Sequence, residues 1–427
     1  MDEKNRYKDM LGRAEVVTVE GATKLFYDNF RVPELASEEI NVEDALGRVV
    51  AEQVVSDSML PEFARSSMDG YALAARDTFG ASDALPAYLA VVGEVLMGEE
   101  ALTPVEKGRA VRISTGGMLP PGADAVVMLE HTQSLGGAEI EISRPAAPGE
   151  NVVQPGDDIK KGEVVLRKGH RLRPQDMGAL AGIGVTKVKV YRRPRVAIIN
   201  TGNEIIDASL SPAPGQVRDV NSYNLAGLVR QAGGEPVRMG IFRDDYDSIK
   251  SAVEAGISDA DAVAITGGSS VGTGDQTAKV INDTGRPGVL VHGVSVKPGK
   301  PVIIGVAGGK PVFGLPGHPV AVTVTFELFL GPLISKLSGE VDPLGIAGIP
   351  KTRVVRAKMA RNYSSAPGRE DHLRVALEMR DGEIMARPVL GKSGLISTLV
   401  NAQGTVVVPP GKPGVEKGEW VDVRLFD

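Results

Sequence analysis

From Arg195 onward the sequence alternates between two periods. Val196 to Ile199 is a short apolar run of the buried-strand type and ends in Thr201-Gly202-Asn203-Glu204. A helical spacing follows on Leu225, Leu228, Val229 and Ala232, closed by Gly233-Gly234. Then come a strand at Pro236 to Ile241, a helix at Ile249 to Ile257 and a second buried-type strand at Ala262 to Ile265. Alternation of this length predicts a parallel sheet with right-handed crossovers. Sheets of that kind bind ligands beyond the carboxyl ends of their strands. Glu204, Asp244 and Asp275 each follow a predicted strand, so they are expected on one edge.

The strand at Ala262 breaks into glycines and small hydroxyl residues, Thr266-Gly267-Gly268-Ser269-Ser270-Val271-Gly272-Thr273-Gly274. Without a Cβ, such a turn lets backbone N–H groups approach a phosphate closely, and a helix starting near Asp275 adds positive potential there. By itself this segment reads equally as a tight connection between strand and helix. Two lysines in Val296-Lys297-Pro298-Gly299-Lys300-Pro301 tilt the reading toward an anion site. Glu204 is suited either to cap a helix or to bind a cation.

The remaining chain is strand-rich and turn-rich, with 52 glycines and 28 prolines. Thr18 is placed to cap a helix on Val19, Ala22, Leu25 and Phe26, and Asn41 a second one on Ala45 to Val49. A helix from Ala321 to Leu337 follows the turn Gly314-Leu315-Pro316-Gly317-His318-Pro319. Beyond Pro350 only strands and turns are expected, forming a small all-β domain. At 427 residues the chain should divide into two to four domains. A net charge of −6 with no basic run, and 4% aromatic residues, argue against nucleic acid as partner. With no cysteine, disulfides, thiolate catalysis and cysteine-ligated metal are excluded, which fits a cytoplasmic chain. No signal peptide is read in the charged N-terminus, and no apolar run is read as approaching the roughly 20 residues that span a membrane.

Seven motifs stand in order: Met68-Asp69-Gly70-Tyr71-Ala72, Thr115-Gly116, Gly156-Asp157-Asp158-Ile159, Thr201-Gly202-Asn203-Glu204, Gly267 to Gly272, Lys297-Pro298-Gly299-Lys300-Pro301 and Leu315-Pro316-Gly317-His318-Pro319. In this combination the chain resembles the molybdopterin molybdenumtransferase family over nearly its whole length. The resemblance implies a multidomain α/β and β protein: a parallel-sheet α/β domain related to the molybdopterin-binding fold, two smaller N-terminal domains and a C-terminal β-barrel. The implied partition is 14–56 with 148–186 as a split domain, 57–147 inserted in it, 187–337 as the α/β domain and 338–427 as the barrel. It further implies a homodimer, contact with the molybdopterin adenylyltransferase, and insertion of molybdate into adenylylated molybdopterin with release of AMP. By the same resemblance Asp69, Thr115, Asp158, Glu204, Asp244, Asp275, Lys297, Pro316, Pro319 and Ser393 match positions used in binding or turnover. Two departures are visible: Gly293 stands where many members carry a lysine, and His318 where an asparagine is common.

An anionic substrate and acidic side chains share a cleft only if a divalent cation lies between them. Asp244, Asp275 and Glu204 are therefore expected to hold Mg2+. Thr201, the loop residues Gly267, Gly268, Ser269, Ser270 and Gly272, and Lys297 and Lys300 are expected to donate to the phosphates. Molybdate, a tetrahedral oxyanion, needs its own donors, for which Arg369, Lys392 and Ser393 are candidates on chemistry. Two rival readings remain: the adenylyltransferase that makes the adenylylated pterin, and a non-catalytic scaffold of the gephyrin type.

Overall fold

The computed structural model describes residues 6–8, 15–136, 138–267, 274–341 and 353–426, with the backbone alone at 6–8, 15, 274 and 275. Its organising sheet has six strands: β1 (Arg195–Thr201), β2 (Glu235–Phe242), β3 (Ala262–Thr266), β4 (Gly288–His292), β5 (Ile303–Ala307) and β6 (Lys310–Leu315). They lie in the order β2-β1-β3-β6-β5-β4. β2, β1, β3 and β6 run parallel, as the alternation predicts. β5 alone is reversed, pairing antiparallel with both β6 and β4, so that β4 runs in the direction of the parallel strands. The reversal is local: Gly308 and Gly309 join β5 to β6 with φ of 57° and 77°, the two positive values that a tight hairpin needs.

Period two sorts the strands between two layers of helix. Val196, Ile198, Ala262 and Ala264 face α1 (Val19–Asn29), α2 (Asn221–Gln231), α5 (Pro319–Thr325) and α6 (Gly331–Leu337). Ala197, Ile199, Val263 and Ile265 face α3 (Tyr246–Asp259) and α4 (Gly274–Thr284). With both faces covered, each buried isoleucine contributes roughly 1.5–3 kcal/mol. Thr18 caps α1 as its position predicts, accepting from the Gly21 N–H at 3.0 Å.

α5 and α6 are continuous through a π-helical turn at Phe326–Leu330. The resulting helix, Pro319–Leu337, has 19 residues and is long and apolar enough to cross a membrane by length and composition. This corrects the expectation that no run approaches that length. Here the helix is mostly buried, since it lies between the sheet and α2 and is apolar nearly all round for that reason.

On the N-terminal side, strands far apart in sequence pair: Ser37–Asn41 with Lys187–Tyr191, Val54–Val55 with Val164–Leu166, and Arg65–Ser66 with Val152–Val153. Between them lies a second six-stranded sheet that includes Gly70–Leu73, Arg109–Ile113 and Ala125–Met128. The helix expected at Ala45 to Val49 is absent. Val42–Asp44 makes one 3-10 turn that Asn41 does not cap through its side chain, and the β-branched Val49 and Val50 bridge to Arg171 and Val190 instead. At the other end, β7 (Val354–Met359), β8 (Glu370–Arg380), β9 (Glu383–Pro388), β10 (Gly404–Val408) and β11 (Trp420–Leu425) close into a barrel in which β10 pairs back to β8. This region was expected to hold only strands and turns; it also holds a one-turn helix, Ser397–Val400.

Candidate functional site

The carboxyl ends of β1, β2, β3 and β6 form one edge, and side chains with unmet hydrogen-bonding capacity collect there. Eight buried side-chain polar atoms lack a partner among the described residues. Six of them belong to this edge, on Asn200, Thr201, Asn221, Asp244, Gln276 and Thr277; the other two are the Nε atoms of Arg369 and Arg374. A protein interior leaves few such groups unpaired among its described neighbours, so their gathering at one edge makes it the candidate site.

The acids sit as the strand order requires. Asp244 follows β2, and its backbone N–H reaches the Asn203 side chain at 3.4 Å. Burial pushes the Asp244 carboxyl above the usual carboxylate range, and the charges of Glu204 and Asp245 push it further. Glu204 itself is exposed. Two carboxylates that repel one another, one with a buried unpaired oxygen, suit a hard cation held by oxygen ligands. Among the described residues no three acidic, histidine or cysteine side chains gather as a metal cluster. Asp275 lies in the first turn of α4, but its side chain falls outside the described residues, as do Gly268, Ser269, Ser270 and Gly272.

The base of the glycine loop is visible at Gly267. Its φ is 106°, and a Cβ there would stand 1.9 Å from the Thr201 carbonyl oxygen, so only glycine lets β3 leave the sheet this close to β1. Gly317, in the turn between Pro316 and Pro319, packs over it, with a Cβ position 3.6 Å from the Gly267 Cα. Asn221 ties the two segments: its amide donates to Thr266 Oγ1 at 2.9 Å and to the Gly317 carbonyl at 2.8 Å. Beside it, buried Asp219 accepts from Asn200 at 2.7 Å and from the Ser222 N–H at 3.0 Å. Sequence reasoning missed Asn200, Asp219 and Asn221. The polar run Asp219-Val220-Asn221-Ser222, placed directly before a helix, was the available signal.

Lys297 stands at the seam between this domain and the barrel. The strand Val296–Lys297 pairs in parallel with Glu370 and Asp371 at the start of β8. Its ammonium donates to Asp371 at 2.8 Å and to the Tyr363 hydroxyl at 3.0 Å, and Asp371 also accepts from Tyr363 at 3.0 Å and from Ser365 at 2.9 Å. Burial pulls the Lys297 pKa down, but these bonds and the nearby carboxylate outweigh it and leave the value raised. Asp371, Tyr363 and Arg374 were not read from the sequence. Arg374 is nearly buried, donates to the Gly391 carbonyl at 3.1 Å, and has its pKa pushed down by burial. Arg369 is half-buried and Lys300 is exposed.

Ser393 reaches the sheet edge from the barrel side: its hydroxyl lies 2.9 Å from His318 Nδ1, and its carbonyl accepts from the Val320 N–H at 3.2 Å. Asp69, Thr115 and Asp158 lie in the N-terminal region. There Asp69 accepts from the Thr115 backbone N–H at 2.7 Å and from its hydroxyl at 3.1 Å, while Asp158 is exposed with its N–H bonded to the Leu60 carbonyl at 3.0 Å. The structure thus joins Asp69 to Thr115, and gathers Thr201, Glu204, Asp244, Gly267, Pro316, Pro319 and Ser393 around one edge.

Comparison with known proteins covers all three regions of the chain. Residues 17–184 match the MoeA N-terminal region (domain I and II), 197–336 a probable molybdopterin binding domain, and 356–426 the MoeA C-terminal region (domain IV). The molybdopterin molybdenumtransferase of Bacillus subtilis is 33% identical over 91% of this chain and 90% of its own. Molybdopterin molybdenumtransferase 1 of Mycobacterium tuberculosis is 33% identical over 91% of this chain and 94% of its own. A crystal structure of the molybdopterin biosynthesis MoeA protein of Pyrococcus horikoshii superposes with a TM-score of 0.82 at 35% identity, over 96% of this chain and 100% of that one. Relatives that match from end to end, in sequence and in fold, establish that the chain belongs to the molybdopterin molybdenumtransferase (MoeA) family.

Proposed function

We propose that the protein inserts molybdate into the dithiolene of adenylylated molybdopterin, two Mo–S bonds forming as a molybdate oxygen leaves as water with the two thiol protons, and releases AMP in the same cycle. The observation that carries this reading is the crowd of unpaired buried polar atoms at the sheet edge, beside a carboxyl whose pKa is raised. An adenylylated pterin brings hydroxyls, ring N–H groups and a pyrophosphate, and so offers partners for donors and acceptors alike. Gly267 and the glycine loop after it, Thr201, Lys297 and Lys300 would bind the pyrophosphate, and Ser393 and Arg369 the molybdate.

Asp244, Asp275 and Glu204 would hold Mg2+, for which one or two carboxylates together with substrate oxygens suffice. When bound, the ion would neutralise charge on the phosphoanhydride. In the hydrolysis the P–O bond to AMP breaks as a water oxygen bonds to phosphorus, and AMP leaves with the bridging oxygen. Asp244 is the group whose environment favours keeping either a proton or a cation. We further propose that the protein works as a cytoplasmic homodimer, with the domain partition 14–56 plus 148–186, 57–147, 187–337 and 338–427, and that it receives its substrate from the adenylyltransferase.

The test is incubation with adenylylated molybdopterin, molybdate and Mg2+, following AMP and cofactor together. Asp275→Asn is expected to lose Mg2+-dependent AMP release while still binding substrate; equal release by variant and wild type refutes its assignment. If instead the protein makes adenylylated pterin from ATP and molybdopterin, it is the adenylyltransferase and this reading is wrong.

A further inference from the structure

His318 occupies the N-cap position of α5 yet makes no side-chain cap to that helix. Its imidazole Nδ1 instead meets the Ser393 hydroxyl of the barrel domain at 2.9 Å, and the next turn's Val320 N–H donates to the Ser393 carbonyl at 3.2 Å. Gly394 packs on the same ring, with a Cβ position 3.4 Å from His318 Cδ2. Apolar burial does little to hold the segment around Ser393, since Leu390, Leu395 and Val400 are 58%, 51% and 78% exposed; its other anchors are the Arg374 guanidinium, which donates to the Gly391 carbonyl at 3.1 Å, and buried Thr398.

On the other side, Asn221 anchors the turn that carries His318. One acceptor-only partner, the Gly317 carbonyl, fixes which way the amide faces, and its second donor holds Thr266, the last residue of β3. A hydrogen-bonded path therefore runs from the base of the glycine loop through Thr266, Asn221, Gly317 and His318 to Ser393.

We propose that His318 is a positioning residue that latches the 391–400 segment of the barrel onto the sheet edge, with Asn221 fixing the far end of the latch. Ser393 and its neighbour Lys392 are thereby presented to the same sheet edge as Thr266 and Gly267. The kinetic part of this inference rests on the proposed function; the docking part does not.

Two measurements on the full-length protein test it. Amide hydrogen exchange over residues 391–400 is expected to quicken in His318→Ala and to stay as in wild type in His318→Asn, whose amide offers a hydrogen-bonding atom near the position of Nδ1. In cofactor formation, His318→Ala is expected to raise the half-saturating molybdate concentration roughly five- to tenfold, the worth of about one hydrogen bond, with affinity for adenylylated pterin unchanged and His318→Asn restoring the wild-type value. Unchanged exchange in His318→Ala, quickened exchange in His318→Asn, or equal loss of affinity for both substrates overturns the latch. A wild type that forms no cofactor sinks the proposed function, while the exchange measurement still decides the docking.

Discussion

At the scale of single residues, two carboxylates in this molecule do opposite work. Asp244 has a folded-state pKa raised above its ordinary 3.8, first by burial and then by Glu204 and Asp245. A raised acid is harder to ionise in the folded state than in the unfolded one, so its ionisation lowers stability at neutral pH. Asp244→Asn is therefore expected to raise the melting temperature of the metal-free protein at pH 7 and to abolish any further rise on adding Mg2+. A variant still stabilised by Mg2+ would remove Asp244 from the proposed ligand set. Asp371 instead lies buried under three donors and holds the Lys297 pKa above its ordinary 10.5. A raised lysine lends stability that is complete below its ordinary pKa and disappears as pH climbs through the folded value. Asp371→Asn is expected to cost about 1–3 kcal/mol at pH 8. The difference from wild type should shrink above roughly pH 10.5 in denaturant titrations; a gap that stays constant with pH would mean that charge plays no part.

At the scale of elements, legibility followed the reach of each signal. The strands and helices from Arg195 to Thr266 were readable because their periodicity and their punctuation both lie within about a dozen residues. Thr18 and Asn41 make an instructive pair, since both are good capping residues. Thr18 opens a run with a continuous apolar stripe, whereas Asn41 is followed by Gly47 and by two valines that prefer extended pairing with distant Arg171 and Val190. Glu204 and Asp244 could be placed on one edge from strand order alone, whereas the glycine loop beyond Gly267 and the Asp275 side chain lie outside the described residues. Lys297 could be named but not its partner, because Asp371 lies 74 residues on, in another domain. Asn200 and Asn221 were missed because amides at strand and helix ends look like ordinary turn residues until tertiary structure leaves one of their atoms unpaired. Gly267 gives this scale its prediction. With φ of 106° and the Thr201 carbonyl where a Cβ would go, Gly267→Ala must push β3 away from β1. The expected loss is more than about 1 kcal/mol by denaturant midpoint, together with weaker binding of adenylylated pterin. Full stability would mean that the strand ends give way freely.

At the scale of the whole molecule, the core of the α/β sheet is completed from the far N-terminus. α1 lays Ala22 and Phe26 against β4 and β5, with the Phe26 ring centroid 5.7 Å from that of Phe313. Just before it, Val17 bridges to Val294 and accepts from the Ser295 N–H at 2.8 Å. Ser295 in turn bonds Gly368 and Glu370 at the mouth of the barrel. The N-terminal segment, the sheet edge strand and the barrel thus meet along one line of contacts, which runs into the strand carrying Lys297. Large-to-small replacement of a buried phenylalanine costs roughly 3–5 kcal/mol, because the lost transfer energy is joined by a cavity that neighbours fill only in part. Phe26→Ala should therefore loosen the sheet first at β4 and β5. Native-state hydrogen exchange resolves where that loss is felt, since regions that open independently lose protection independently. Quickened exchange in β4 and β5, with β9 of the barrel unchanged, is the expected pattern. Equal loss in β9 would show that the sheet and the barrel unfold as one cooperative unit and that the line of contacts through Ser295 transmits the full penalty.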